Sequence, residues 1–274
     1  MIERIIFGLV IFLCMATGFS QETLESFKKR TENYYHYLTT ADVNNFTCKI
    51  SSGRFINFIK NKADSSFYYP LKFIWTRDGG SYYVLQPFPQ LSDSLRREAL
   101  TQAQLLKNLF GDLFFDLQKF YIKHPTAQIA VNATLTFSAD TIFISATNEK
   151  QATLVETYTR GGQLGRAAWK FADQQVVSYP MFTELENKWI CLGWQNQVYE
   201  GMNIVSGTAA QLEYAPAQGR LLPTRISLLL QQRKNPDAKV AAGSYTIYIK
   251  DFVFNENITE LPAPETSGSA PPQQ

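Results

Sequence analysis

The chain has 274 residues, 45% of them apolar and 14% aromatic, which suffices to bury a core and excludes a disordered or fibrous protein. Its 26 Lys and Arg against 24 Asp and Glu give a formal charge of +2, too balanced for a protein that binds nucleic acid by neutralising phosphates. Two His and three Cys provide few metal ligands or nucleophiles, so we predict no enzyme, no metal site and no cofactor.

The two ends of the chain differ in composition from the rest. Residues 1–20 combine a short polar start, an apolar run over 5–15 and a small-residue end, which is typical of a secretory signal peptide. The apolar run is too short to span a bilayer, and no later segment approaches the necessary length of about 20 residues. Residues 261–274, rich in Pro, Ser, Gly and Gln, are predicted to be a disordered tail. The sequence thus predicts an exported chain, without a transmembrane segment after cleavage, that folds as one domain over 21–260.

Two cysteines, Cys48 and Cys191, remain after cleavage of the predicted signal peptide. In an exported protein an even number of cysteines is compatible with a disulfide, and two buried free thiols fit the sequence equally well.

The first half of this domain alternates helical and strand patterns. Residues 22–41 carry apolar side chains at helical spacing and predict an amphipathic first helix. From 46 to 86 the pattern favours strands, in the runs 46–50, 55–59, 68–75 and 81–86. Asp78-Gly79 between the last two runs predicts a hairpin, because glycine supplies the positive φ of a tight turn. Phe73 and Trp75 share one face of this hairpin, as do Tyr83 and Leu85 on the returning strand.

A second helical region is predicted over 92–121. Ser92 and Ser94 are candidate caps, and Gly111-Asp112 is a point at which the helix could break in two. The wide apolar stripe includes Leu106, Phe110, Leu113 and Phe114, and it fits either an ordinary core contact or a lid over an apolar cavity. The spacing of Asp112 and Asp116 is that of ordinary surface carboxylates, and His36 and His124 fit satisfied surface or interfacial histidines.

After residue 125 the pattern is one of short strands separated by turns. Strands are predicted at 128–137, 141–146, 152–159, 165–171, 188–194, 202–214, 222–231 and 244–254. With the earlier strands this makes roughly ten to twelve, enough for a curved antiparallel sheet or an incomplete barrel around one core. The predicted fold class is α+β, mainly β.

The order of these parts resembles the outer-membrane lipoprotein carrier (LolA/LolB-like) superfamily. The similarity lies in SGRF at 52–55, PLKFIW at 70–75, the Asp78-Gly79 turn into YYV at 82–84, GRLLPTRI at 219–226 and IKDFVFN at 249–255. The resemblance implies an unclosed barrel of about eleven antiparallel strands, lidded by helices over an apolar cavity. It also implies acyl chains of lipids or lipoproteins as ligands and the bacterial periplasm as location. Apart from the resemblance, an exposed sheet edge or helical face would suit an envelope protein as a further partner.

Two hypotheses follow for function. In the first, the protein is a periplasmic carrier that holds acyl chains between the concave sheet and the helical lid. The residues predicted to line that cavity are Phe73, Trp75, Tyr83, Leu85, Leu106, Phe110, Leu113 and Phe114. In the second, the protein is a non-enzymatic envelope module for structure or interaction, and its own side chains fill the core.

Overall fold

The computed structural model describes residues 22–63, 65–78, 80–148, 152–233 and 241–258. The predicted signal peptide over 1–20 and the predicted tail over 261–274 lie outside these residues. None of the helices in the described ranges is long and apolar enough to cross a membrane.

One curved, unclosed antiparallel sheet of twelve strands forms the body of the protein, as the α+β, mainly β prediction requires. The strands are β1 Asn45–Ser52, β2 Leu71–Thr76, β3 Gly80–Leu85, β4 Thr134–Phe137, β5 Thr141–Thr147, β6 Thr153–Thr159, β7 Leu164–Phe171, β8 Gln174–Leu185, β9 Lys188–Glu200, β10 Asn203–Ala217, β11 Arg220–Gln232 and β12 Ala241–Phe254.

The strand order follows the chain with one exception. From β4 to β12 each strand pairs with the next, and β1 then pairs with β12 and continues the sheet through β2 to β3. The strands β3 and β4 are therefore the two edges. The predicted hairpin is present as β2 and β3, where Phe73 lies opposite Tyr83 and Leu71 lies opposite Leu85.

Within the described ranges, three α-helices accompany the sheet: α1 Leu24–Thr31, α2 Gly53–Phe58 and α3 Asp93–Leu117. A π-helical turn extends α2 over Ile59–Ala63, and another extends α3 over Gln118–Ile122. A 3-10 turn, Pro125–Gln128, leads into β4. The long helix α3 lies over the concave face, where it contacts residues of β2, β7 and β9, and the π-helical turn that follows it contacts β6.

The first helix is shorter than predicted, because it ends at Thr31 rather than near residue 41. The backbone around Tyr35 bonds to β9 instead: Trp189 N donates to Tyr34 O at 2.7 Å and His36 N donates to Trp189 O at 2.8 Å. These bonds replace the helical ones and hold this segment against the sheet.

The predicted strand over 55–59 was wrong, since residues 55–58 belong to α2 and Ile59 begins its π-helical extension. Ser52 caps the helix by accepting a hydrogen bond from Phe55 N at 3.1 Å. Phe55, Phe58 and Ile59 are buried. Their spacing of three and four residues is a helical period that a short aromatic run conceals.

Two further details differ from the predictions. The helix α3 continues through Gly111 without a break. The strand β8 was missed altogether, because Pro180 and a pair of glutamines interrupt its pattern. At Pro180 the strand pairs with β9 only, since the described pairing with β7 ends at Ser178.

Candidate functional site

The helix α3 faces the sheet with one buried stripe, whose residues recur every three or four positions. They are Ala99, Ala103, Leu106, Phe110, Leu113, Phe114, Asp116 and Leu117. The stripe changes character along its length: its middle is aromatic and aliphatic, and its end includes a carboxylate. The surfaces beneath these two parts differ correspondingly.

Beneath the middle of α3 lies a tightly packed apolar region. The ring of Phe73 on β2 is 5.3 Å from that of Phe110 and 4.7 Å from that of Phe114, between centroids. The residues around it enclose a small void and are here called the aromatic compartment: Leu38, Phe46, Cys48, Phe73, Phe110, Phe114, Leu117, Ile122, Pro223, Ile249 and Phe252. The void measures about 10 Å³, the space of one water molecule at most, so side chains fill the compartment.

The structure brings most of the predicted cavity residues together. Six of the eight are buried in the same core cluster: Phe73, Trp75, Leu106, Phe110, Leu113 and Phe114. Tyr83 is partly buried and packs against that cluster, with its ring 5.2 Å from Phe73. Leu85 is 44% exposed and lies outside the cluster.

An open groove borders the compartment where edge strand β3 meets α3. This edge groove has a volume of about 490 Å³ and is lined by Leu71, Tyr83, Leu85, Leu100, Thr101, Ala103, Gln104 and Lys107. Leu85 and Leu100 are exposed in it, at 44% and 38%. Tyr83 also contacts Phe73 and Phe110 of the compartment. Tyr83 therefore lies between an open groove of mixed polarity and the filled interior.

Beneath the C-terminal end of α3 the interface is polar. Asp116 is 6% exposed, and its Oδ2 accepts a hydrogen bond of 2.5 Å from Asn196 Nδ2 on β9. Burial raises the pKa of Asp116 to about 6, although the bond from Asn196 opposes this rise. The prediction that Asp116 is an ordinary surface carboxylate was wrong.

Three polar atoms around this carboxylate are buried without a hydrogen-bond partner among the described residues: Ser178 Oγ, Trp194 Nε1 and Asn196 Oδ1. Ser178 on β8 lies directly opposite Asn196 on β9, so both face α3. The indole N–H of Trp194 lies near enough to Asp116 to favour the charged carboxylate, but outside hydrogen-bond geometry. Asp116, Ser178, Trp194 and Asn196 are here called the polar patch.

A glycine fixes the backbone beside this patch. Gly193 has a φ of +151°, and a Cβ at this position would lie 2.0 Å from Ala210 O. Only glycine permits this approach of β9 to β10, immediately before Trp194.

A buried ion pair adjoins the patch one turn further along. Lys119 and Glu156 on β6 form a salt bridge with side-chain exposures of 1% and 0%. Lys119 Nζ also donates to Pro125 O at 2.6 Å, and Tyr158 Oη donates to Glu156 Oε2 at 2.7 Å. Burial and the nearby Glu156 raise the pKa of Tyr158 well above its usual range. Unlike the polar patch, this pair is well supplied with hydrogen-bond partners.

The cysteines and His124 are neutral structural groups. Cys48 and Cys191 are free and buried, so the structure realises the free-thiol alternative and not the disulfide. Burial raises the pKa of Cys191 to about 12 and that of Cys48 further. His124 bonds to Thr31 O and Thr126 Oγ1, and burial lowers its pKa. In the described ranges no group of three His, Cys, Asp or Glu residues could hold a metal ion.

Sequence reasoning missed the polar half of this interface. A usable signal existed for Asp116, because it falls three residues after Leu113 on the α3 stripe, where a charge is unexpected, and Lys119 follows Asp116 by the same spacing. No comparable signal existed for Ser178, whose strand was not predicted. Comparisons with protein-family models, curated proteins and solved structures gave no match to this chain.

Proposed function

We propose that this protein is a non-enzymatic carrier of acyl chains, from lipids or acylated proteins, in the bacterial periplasm. The observation that carries the proposal is that Tyr83, which lines the edge groove, packs its ring directly on Phe73 and Phe110 of the aromatic compartment. An acyl chain would enter at Leu85 and Leu100 and take the place of α3 side chains against Phe73. The resemblance to the lipoprotein carriers suggested the same ligand class.

The filled compartment means that binding must be coupled to movement of α3. A void of about 10 Å³ holds no acyl chain, so the rings of Phe110 and Phe114 have to withdraw from Phe73 first. Each buried CH₂ group of the ligand contributes about 0.8 kcal/mol, and the lost contacts of α3 offset part of that gain. The expected affinity is therefore moderate, as suits a protein that passes its ligand on.

The compartment is almost completely filled by its own side chains, and this also favours the second hypothesis, an envelope interaction module whose core is complete without a ligand. The two proposals differ in what accompanies the protein in the cell. A carrier copurifies with lipid, whereas the module copurifies with a protein partner and without lipid.

Native mass spectrometry of the gently purified chain tests the carrier. We expect masses that correspond to bound lipid, and binding of an added acylated peptide to the delipidated protein. A single apo mass, together with no binding of that peptide, would refute the carrier and leave the interaction module.

A matched pair of variants tests the edge groove as the way in. Leu100 lines the groove, whereas Leu105 on the same helix is 54% exposed and does not line it. Leu100→Glu should weaken binding of the acylated peptide by about tenfold or more, because a carboxylate then sits in the path of the chain. Leu105→Glu, the control, should leave binding within about twofold. Equal effects of the two substitutions would exclude this route.

A further inference from the structure

The three unpartnered atoms of the polar patch present a defined hydrogen-bonding pattern. Trp194 Nε1 can only donate, Asn196 Oδ1 can only accept, and Ser178 Oγ can do either. Burying a polar atom without a hydrogen-bond partner lowers the stability of the fold by about 1–3 kcal/mol, and protein cores normally avoid such atoms. Since Trp194 and Ser178 are both 0% exposed, no bulk solvent relieves that cost in the closed structure.

The patch lies at a suitable place for the polar end of a ligand whose chain occupies the compartment. Ile249 and Phe252 line the compartment from β12, and Trp194 and Asn196 lie on β9 of the same concave face. These strands are three places apart in the sheet, which corresponds to about 14 Å at about 4.8 Å per strand. Leu117 of α3 borders the compartment and Asp116 borders the patch, so one helix covers both.

The carboxylate of Asp116 disfavours an anionic head group. Asp116 is ionised above about pH 6, whereas the charge of Glu156, which lies in the same cross-strand row as Ser178 and Asn196, is balanced by Lys119. A carboxylate or phosphate would also supply acceptors only and leave Asn196 Oδ1 unpaired. An ammonium group would supply donors only and leave Trp194 Nε1 unpaired. Hydroxyl groups both donate and accept, so they satisfy all three atoms.

We propose that Ser178, Trp194 and Asn196 form the head-group subsite of the acyl ligand, and that this subsite takes an uncharged, hydroxyl-bearing group of the glycerol type. The inference rests on the carrier function proposed above. In the closed structure α3 covers the subsite, and the subsite opens with the same helix movement that opens the compartment.

Calorimetric titration of the chain with 1-lauroylglycerol and with laurate at pH 8, both below micelle formation, tests the subsite. The two probes share one chain length, so the head group alone separates them. We expect 1-lauroylglycerol to bind about tenfold more tightly. Ser178→Ala and Trp194→Phe should each weaken 1-lauroylglycerol by about 3–10-fold, the value of one hydrogen bond, and leave laurate within about twofold.

Ser178→Ala separates loss of the hydroxyl from loss of folding. It deletes an atom that has no partner among the described residues, so its melting temperature should equal or exceed that of the parent. Trp194→Phe shortens a fully buried ring, so its result is taken from the ratio of the two affinities and not from either one alone. Ser227→Ala, on the opposite face of the sheet between the buried Ile226 and Leu228, is the matched control and should change neither affinity.

The outcomes separate the two proposals. Equal affinities for both probes, or a head-group preference that survives both substitutions, would overturn the subsite and leave the carrier intact. Binding of neither probe would overturn the carrier and the subsite together.

Discussion

One helix covers two unlike surfaces in this protein. The aromatic compartment under the middle of α3 is packed ring against ring, with a void of about 10 Å³. The polar patch under the end of α3 leaves three buried polar atoms without partners among the described residues. Dense apolar packing is the usual state of a protein core, whereas unpaired buried polar atoms are rare. The contrast indicates that apolar packing fixes the middle of α3 on the sheet, whereas the contact of its end with β8 and β9 leaves polar atoms unpaired.

The ion pair of Lys119 and Glu156 sharpens this contrast. It is also buried and polar and also lies under the end of α3, yet its groups have hydrogen-bond partners. This part of the protein therefore does bury polar groups, and in the ion pair hydrogen bonds compensate for the loss of water. Of the five unpaired buried side-chain atoms among the described residues, three lie together on β8 and β9, and the other two, Asn45 Oδ1 and Arg225 Nε, lie on β1 and β11. The grouping of three such atoms is why we assign them to a ligand.

We expect the largest change in the free energy of unfolding from a substitution in the aromatic compartment. Phe110→Ala should lower the free energy of unfolding by about 3–5 kcal/mol, because it removes a buried ring that packs on Phe73 and Tyr83. Phe115→Ala, on the same helix but 51% exposed, should cost less than about 1 kcal/mol. Urea denaturation measures both values. Similar losses would mean that the middle of α3 is not its anchor.

Breaking the ion pair should cause a comparable loss of stability, and a second substitution should partly restore it. Lys119→Met leaves Glu156 charged and buried without its cation, and should cost about 3–5 kcal/mol. Adding Glu156→Gln removes that charge, keeps an acceptor for Tyr158, and should recover a large part of the loss. Denaturation of the two single variants and the double variant forms the cycle that measures the coupling. A strictly additive result would contradict our description of the pair.

Asp116→Asn should change the free energy of unfolding by a smaller amount, and it should stabilise the protein rather than destabilise it. The folded-state pKa of Asp116 is raised to about 6 from 3.8, so its stabilising contribution is fully present below pH 3.8 and is lost as the pH rises through 6. Asparagine has no charge to bury, so the variant should be more stable than the parent above pH 6, by about 1–3 kcal/mol. The two proteins should be equally stable near pH 3.5. Urea denaturation at pH 3.5, 6 and 8 checks this, and a difference that does not depend on pH would assign the effect to packing.

The sequence predicted the apolar half of this molecule much better than the polar half. The hairpin β2–β3 and the facing residues Phe73 and Phe110 follow from periodicity, because an apolar side chain on a regular face has one place to go. The unclosed antiparallel sheet follows from the spacing of strands and turns. The α2 helix was mistaken for a strand, since four aromatic and aliphatic residues over the five positions 55–59 fit either period.

The polar patch depends on contacts that periodicity does not encode. Asp116 meets Asn196 across 80 residues of chain, and Ser178 meets Asn196 only because β8 and β9 pair in that register. A carboxylate on a helix is usually solvated, so its burial requires knowledge of what lies opposite. Pro180 and the register shift at Met181 further disguise the strand that carries Ser178.

The smallest expected change in stability gives the most direct test of the polar patch, because the same serine-to-alanine substitution is made inside and outside it. Ser51 and Ser178 are both 0% exposed on strands of one sheet. Ser51 Oγ donates to Tyr68 O at 2.5 Å, whereas Ser178 Oγ has no partner among the described residues. Ser51→Ala should therefore cost about 0.5–1.5 kcal/mol, and Ser178→Ala should be neutral or stabilise by up to about 1 kcal/mol. Urea denaturation of the ligand-free protein compares the two. If Ser178→Ala costs as much as Ser51→Ala, the hydroxyl of Ser178 is already satisfied and the polar patch has no capacity left for a head group.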